Sequence, residues 1–394
     1  MSNAASRIFL WLQCLVLSIF LTACGGGASG GSGGGVNVSA PGIGSGGTGV
    51  SFGPITGFGS IVVDDVHYDI DGITPLIEDA AELKLGMVVR VTGAPVASSG
   101  TMTATSVSTA AELRGAVGAI DLAAQTFEVL GVTVSTDRAT IYDGFVSLNT
   151  LGVGQFVQVN GLPLGSGGLR ATRIEKIAAP AELITTGPVT NLNAASNTFS
   201  IGATTMNFAS SELEGMSRSE LANGLMVRVR GQLSGGEVVA RKVQRWQAAV
   251  AENGALSSSG VISGYTSISG TFNVSGIVVN ASSAAVTGGN PKTVGNGVKV
   301  DVEGTMINGV LQANKLKIRH IPGAGNLPSF SAEGKIVQFL SPSSFRVKGQ
   351  KIDASQPGVV FVNGTSASLA QNVSVSIIGT QVVDDVLIAT QVTF

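Results

Sequence analysis

The chain has 394 residues, 44% hydrophobic and only 12% charged, with 55 glycines and a formal net charge of −2. That length exceeds one small domain, and the near-neutral balance excludes a global field that would draw the protein to nucleic acid or acidic lipid. The two cysteines, Cys14 and Cys24, both lie near the N-terminus, so everything after them must be held by packing without disulfides.

Arg7 and the amino group give a weakly positive start, and Ile8 to Leu21 form an apolar run of 14 residues. This is the length of a signal peptide and short of the roughly 20 residues that span a bilayer as a helix. Leu21-Thr22-Ala23-Cys24 closes the run with small residues around a cut and resembles a bacterial lipobox. The resemblance implies a signal peptide over 1–23 and lipidation of Cys24 as the first mature residue. Residues 24–49 then form a Gly/Ser stretch that cannot offset its ordering entropy by burial, and is expected to be a flexible tether. No Asp follows Cys24, and by resemblance to Gram-negative lipoproteins this implies the outer membrane, with the membrane reached through the lipid.

Beyond the tether a repeat of about 70 residues recurs five times, each copy ending in alternating apolar residues and a glycine. The copies read Val89-Arg90-Val91-Thr92-Gly93, Val157-Gln158-Val159-Asn160-Gly161, Val227-Arg228-Val229-Arg230-Gly231, Val300-Asp301-Val302-Glu303-Gly304 and Val375-Ser376-Ile377-Ile378-Gly379. Seven residues earlier stand Gly86, Gly154, Gly224, Gly297 and Asn372, all suited to a left-handed turn. Leu83, Leu151, Leu221, Val294 and Leu369 precede them as buried pegs. A hairpin follows the final glycine, and its returning strand carries Ala104, Ala171, Ala240, Ala313 or Ala389. Upstream, Phe127, Phe199, Phe272 and Phe345 each open a strand that ends in a glycine turn; module one substitutes Ile61-Val62-Val63 and Asp64-Asp65.

This order gives five strands per module with a short irregular or helical link before the fourth. It predicts an all-β tandem array of five OB-like Greek-key barrels over 50–110, 111–178, 182–247, 256–320 and 329–394. The joints are expected to be more open to protease than the barrels. Gly57-Phe58-Gly59-Ser60-Ile61, the five alternating strands and Ala171-Thr172-Arg173-Ile174-Glu175 resemble a family of bacterial repeat lipoproteins whose barrel-like module has no assigned function. The resemblance covers nearly everything after the tether and implies no catalytic or binding residues.

The candidate chemistry is sparse. In Asp65-Val66-His67-Tyr68-Asp69-Ile70-Asp71, alternate residues would share one strand face and offer carboxylates and an imidazole to a divalent metal. The repeat weighs against it, because His67 aligns with Thr133, Val278 and Lys351. Arg228, Arg230, Arg241, Lys242 and Arg245, near Trp246, could grip an anion, or could be the polar side of two strands whose other side is core. The positions of Arg228 and Arg230 hold Asp301 and Glu303 in the next module. His67 and His320 are the only histidines, no cofactor motif occurs, and stacking aromatics for nucleic acid are scarce.

The expectation is therefore a non-enzymatic envelope protein: a tethered string of modules acting as scaffold, spacer or adhesive surface. The alternative is an envelope-glycan or anionic-polymer binder, and envelope proteins are further possible partners. Charge is uneven along the string, with a net −5 over 50–110 against +3 over 256–320. This asymmetry predicts that module four faces an anionic polymer or that neighbouring molecules attract.

Overall fold

The computed structural model describes residues 49–95, 101–165, 167–246, 250–320 and 328–394. The expected signal peptide, Cys24 and nearly all of the expected tether lie outside these residues. The described residues are all-β: they contain strands, turns and four short 3-10 turns, and no α-helix.

In module one the strands are β1 (Gly49–Phe58), β2 (Ile61–Val63), β3 (Val66–Asp69), β4 (Leu76–Ile77), β5 (Val88–Pro95) and β6 (Met102–Thr109). β1 pairs antiparallel with β2, β2 with β3, and β3 runs parallel to β6. β6 returns antiparallel to β5, and β5 antiparallel to β1, so the hydrogen bonding closes on itself. The short β4 runs parallel to the far end of β6 and occupies the link expected before the fourth strand. The same closure recurs in the other four modules, whose opening strands begin at Leu113, Leu183, Ala255 and Phe330. In those modules the link also carries one 3-10 turn, at Leu148–Thr150, Arg218–Glu220, Pro291–Thr293 and Ser366–Ser368.

Two repeat residues explain this closure physically. The final glycine of each copy sits at a register shift between the last two strands and faces the signature alanine: Gly93 faces Ala104, Gly161 Ala171, Gly231 Ala240, Gly304 Ala313 and Gly379 Ala389. A Cβ at Gly231, Gly304 or Gly379 would collide with the carbonyl oxygen of Val239, Gln312 or Ile388. Glycine is required because two backbones approach closely at a β-bulge that bends the strand round. The earlier turn residue is left-handed in every copy, with φ of 82°, 83°, 90° and 84° at Gly86, Gly154, Gly224 and Gly297, and 68° at Asn372. The alanines are buried, and so are Phe127, Phe199, Phe272 and Phe345.

The alternating strands depart from the simplest expectation. Val157, Val159, Val227, Val229, Val300 and Val302 fill the cores as the pattern predicts. Yet the intervening Gln158, Asn160, Arg228, Arg230, Asp301 and Glu303 are buried as well. Their face of the barrel is not solvated, because other modules cover it.

The modules are packed together and not strung out. Val50–Phe52 of β1 pairs in parallel with Leu256–Ser258 of module four, and Gly57–Phe58 with Ser331–Ala332 of module five. Ile184 of module three pairs with Arg114 of module two, and Tyr142 of module two with Val383 of module five. The cores of modules one and five form one apolar cluster joined by Ile141 of module two, and those of modules two and three form another. Module four keeps its own core. A small cluster of Phe52, Val88, Leu162 and Trp246 joins modules one, two and three. A barrel of this size buries only about 60% of the surface its unfolded chain exposes, and the seams between modules add further burial.

Candidate functional site: the charged seams around module one

Asp64 and Asp65 form the tight turn between β2 and β3, both left-handed at φ 54° and 62°, a conformation that Asp tolerates. This turn enters the seam with module four. Asp65 pairs with Lys317 and, at 2.9 Å, with Arg319. The neighbouring Asp64 is buried and accepts hydrogen bonds from Ser257 at 3.3 Å and from Ser259. Ser259 also reaches Asp301 at 2.5 Å, and Asp301 pairs with Arg319. Burial, then the charge of Asp301, pushes the Asp64 carboxyl well above its ordinary value.

Between modules one, two and three the centre is Asp79. Its Oδ1 accepts from Arg230 Nη1 at 2.9 Å and from Arg114 Nη2 at 2.8 Å; its Oδ2 accepts from Arg230 Nη2 at 2.7 Å and from the Ala111 amide at 2.9 Å. Arg230 Nη2 also donates to Glu78 at 2.8 Å. Burial pushes the Asp79 carboxyl up, but the hydrogen bonds and charge of Arg230, the Ala111 amide and Arg114 outweigh it and hold the group below its ordinary value.

Modules one, two and five meet at Arg173, whose side chain is fully buried. It donates to the Leu85 carbonyl of module one at 3.2 Å, to Asp143 of module two, and to Asp385 of module five at 3.1 Å. Lys84 of module one adds bonds to Asp143 at 3.2 Å and Glu175 at 3.0 Å. Glu112, between modules two and three, is 1% exposed and accepts from the Gly161 amide at 3.0 Å and from Arg228 at 3.2 Å. Burial, only partly offset by Arg228 and these hydrogen bonds, pushes its carboxyl up to about 7.

The five basic residues singled out in the sequence do not form an open anion patch. Arg228 and Arg230, expected on a solvated strand face, are 8% and 6% exposed and point into the seams. Arg228 pairs with Glu112, and Arg230 with Asp79, Glu78 and Glu182. Arg241 pairs with Glu182 at 2.7 Å, Lys242 with Glu214, and Arg245 with Glu220 at 3.4 Å. Trp246 is packed edge-on against Phe52 with ring centroids 4.8 Å apart, inside the structure and not on a sugar-stacking platform. In the His67 segment, Val66 and Tyr68 are core, while His67 is exposed and hydrogen-bonds Ser60 at 3.0 Å. Asp69 caps the Asp71 amide at 2.9 Å. Among the described residues no group of three or more His, Cys, Asp or Glu side chains is arranged to hold a metal ion.

Sequence reasoning missed Asp79 and Glu112, which lie on no shared motif of the repeat, and it named Asp64 and Arg173 only as part of a turn and of a strand motif, without a partner in another module. The signal that pointed toward them was the charge asymmetry. Asp64, Asp65, Glu78 and Asp79 of the acidic module one all have partners across a seam, and Lys317 and Arg319 of the basic module four are among them. Five modules with the same apolar pattern could dock in many permutations; opposite charges select one arrangement because a wrong pairing buries an unpaired charge.

No curated protein is similar to the chain by sequence. A family model described as a domain of unknown function, DUF5666, matches five times, over residues 52–108, 114–175, 186–244, 259–317 and 333–393, and the chain belongs to that family.

Proposed function

We propose that this is a lipid-anchored, non-enzymatic scaffold of the bacterial outer membrane, whose five OB-like Greek-key barrels act as one docked body presented at the end of a tether. The observation that carries the reading is the inward use of charge. Carboxylates and cations meet across the seams, where they fix modules to one another. The OB-like assignment rests on the closed pairing order of each module, with the third strand parallel to the last. The anchor rests on Leu21-Thr22-Ala23-Cys24 and the Gly/Ser stretch behind it.

Replacing Cys24 with Ser tests the anchor: the variant should move from the membrane to the soluble fraction, and unchanged membrane association would overturn it. A pull-down of envelope fractions with the chain from Val50 onward tests the scaffold role, with retention of envelope proteins as the expected result and selective turnover of an envelope component as the opposing one.

A further inference from the structure

Module five carries four cations and four carboxylates, and the fold separates them. Lys335, Arg346, Lys348 and Lys351 share one sheet face, built by the strands Phe330–Ser341, Ser344–Val347 and Gln350–Asp353. Arg346 and Lys351 stand directly opposite in register, and Gln338 extends their row onto the opening strand. Lys348 sits in the joining turn and lies over Gly334, next to Lys335; a Cβ at Gly334 would stand 3.3 Å from the Lys348 Cγ. Arg346 Nη1 donates to the Gly349 carbonyl at 2.7 Å. The three lysines are exposed and Arg346 is half-buried. Among the described residues none of the four has a carboxylate within ion-pair distance. The acidic groups turn elsewhere: Asp385 pairs with Arg173 at 3.1 Å, Asp384 accepts from the Gly144 amide at 3.1 Å, and Asp353 accepts from Ser355 and Gln356. Glu333, two residues before Lys335, is the one carboxylate left on this face.

Like charges directly opposite destabilise a strand pair, so closure of the barrel does not call for Arg346 against Lys351. The matching pairs elsewhere are Val62–His67, Glu128–Thr133, Ser200–Thr205 and Asn273–Val278, and none joins two like charges. The turn next to this pair is a docking element in the other four modules. Asp64-Asp65 enters the seam with module four. The carbonyls of Leu130 and Gly131 accept from Thr204 at 2.6 Å and Ala203 at 3.2 Å, which joins the turns of modules two and three. Gly276 of module four abuts Met226 of module three, 3.2 Å from a Cβ placed there. In module five the turn is Lys348-Gly349, and a Cβ at Gly349 would meet open space. The basic module four has no such face, because Lys315, Lys317 and Arg319 pair with Glu303, Asp65 and Asp301.

We propose that this face of module five binds an acidic polysaccharide, laid across the three strands with its carboxylates on Lys335, Arg346, Lys348 and Lys351. The inference goes beyond the scaffold reading, which stands whether or not a glycan binds. A guanidinium fork and mobile ammonium groups are the side chains that recognise carboxylates, and a polyanion relieves the repulsion between Arg346 and Lys351. A protein partner fits less well. Protein interfaces have an apolar centre poor in lysine, as in the cluster of Phe52, Val88, Leu162 and Trp246, whereas cations take the central place here. The membrane of the anchor fits less well too. The tether joins at Gly49, while Gly57–Phe58 at the other end of the same strand pairs with Ser331–Ala332, which leads to Lys335. Those ends are about 26 Å apart along the strand.

The test titrates the full chain in detergent with polygalacturonate, with neutral dextran, poly-glutamate and phosphatidylglycerol vesicles as comparisons. Polygalacturonate should bind in dilute buffer, weaken as salt is raised, and bind more tightly than poly-glutamate; dextran should not bind. Lys348→Gln and Lys351→Gln should each weaken polygalacturonate by about three-fold, the size of one exposed ion pair. Arg346→Gln combined with Lys351→Gln should weaken it by about ten-fold. Lys292→Gln, exposed on the 3-10 turn of module four, removes the same charge elsewhere and should change nothing. Urea midpoints of the module-five variants should equal or exceed the parent's, since a like-charged pair is relieved. Equal weakening by Lys292→Gln and Lys351→Gln makes net charge the cause and overturns the site, as does binding that no substitution touches. Poly-glutamate bound as tightly as polygalacturonate, or vesicles bound in its place, overturns the glycan.

Discussion

Replacing Asp79 with Ala removes the carboxylate on which modules one, two and three converge. The side chains of Asp79, Arg230 and Arg114 are 5%, 7% and 17% exposed, so the loss strands two guanidiniums in a poorly solvated seam. Breaking a buried pair by deleting one partner costs on the order of 3–5 kcal/mol. Arg230 keeps Glu78 at 2.8 Å and Glu182 at 3.6 Å, and Arg114 keeps Gln158 at 3.0 Å. These remaining partners place the expected cost at the low end, about 3 kcal/mol. Arg241→Ala is the internal control: Arg241 pairs with Glu182 at 2.7 Å but is 62% exposed, and such surface pairs contribute about 0.5 kcal/mol. Urea unfolding of both variants measures the contrast. Because the Asp79 carboxyl is held below its ordinary value, its contribution is present above the ordinary carboxylate range and is lost only as pH falls through the lower folded value. The difference between the variants should therefore be constant from about pH 8 to about pH 5. An Asp79→Ala cost within about 1 kcal/mol of Arg241→Ala would refute the view that the seam charges hold the modules in place.

Mild acid should stabilise the body. The Glu112 carboxyl is raised to about 7 and that of Asp64 is raised too, so the folded protein binds these protons more tightly than the unfolded chain, and stability falls as pH rises through the folded values. For Glu112 the loss between pH 5.5 and 8 is about 2 kcal/mol; Glu112→Gln should flatten that part of the profile, and a curve parallel to the parent's would contradict the cause. Gly304→Ala should cost about 1–3 kcal/mol through the clash with the Gln312 carbonyl, whereas Gly295→Ala, with open space at its Cβ and no left-handed φ, should change stability by less than about 0.5 kcal/mol; equal thermal shifts would remove the bulge argument. Small-angle scattering of the chain from Val50 onward should give a radius of gyration of about 20 Å, as compact packing requires. A row of five separate barrels would give roughly 35 Å and would restore the picture of a string.

The sequence by itself determined what lies inside one module. Strand order, left-handed turns and core valines follow from local geometry: φ at Gly154, alternation at Val157 and Val159, a phenylalanine at Phe127 or Phe272. The final glycine and the alanine were visible as repeat marks, but only the folded strands show that they face each other at a bulge. Interactions of this kind recur in each copy because each barrel solves the same closure problem.

Only the tertiary structure decided what lies between modules. Nothing in a hairpin turn says that Asp64 is buried against Ser257 and Ser259, nearly 200 residues away in the chain. Nothing in an alternating strand says that Arg228 and Arg230 face another barrel instead of water. Cross-strand partners within a barrel are set by register, which periodicity reveals. Partners across a seam are set by which surfaces meet, and that choice has no period: it is made by unequal charges on otherwise similar modules, where each wrong docking would leave a carboxylate or guanidinium buried alone.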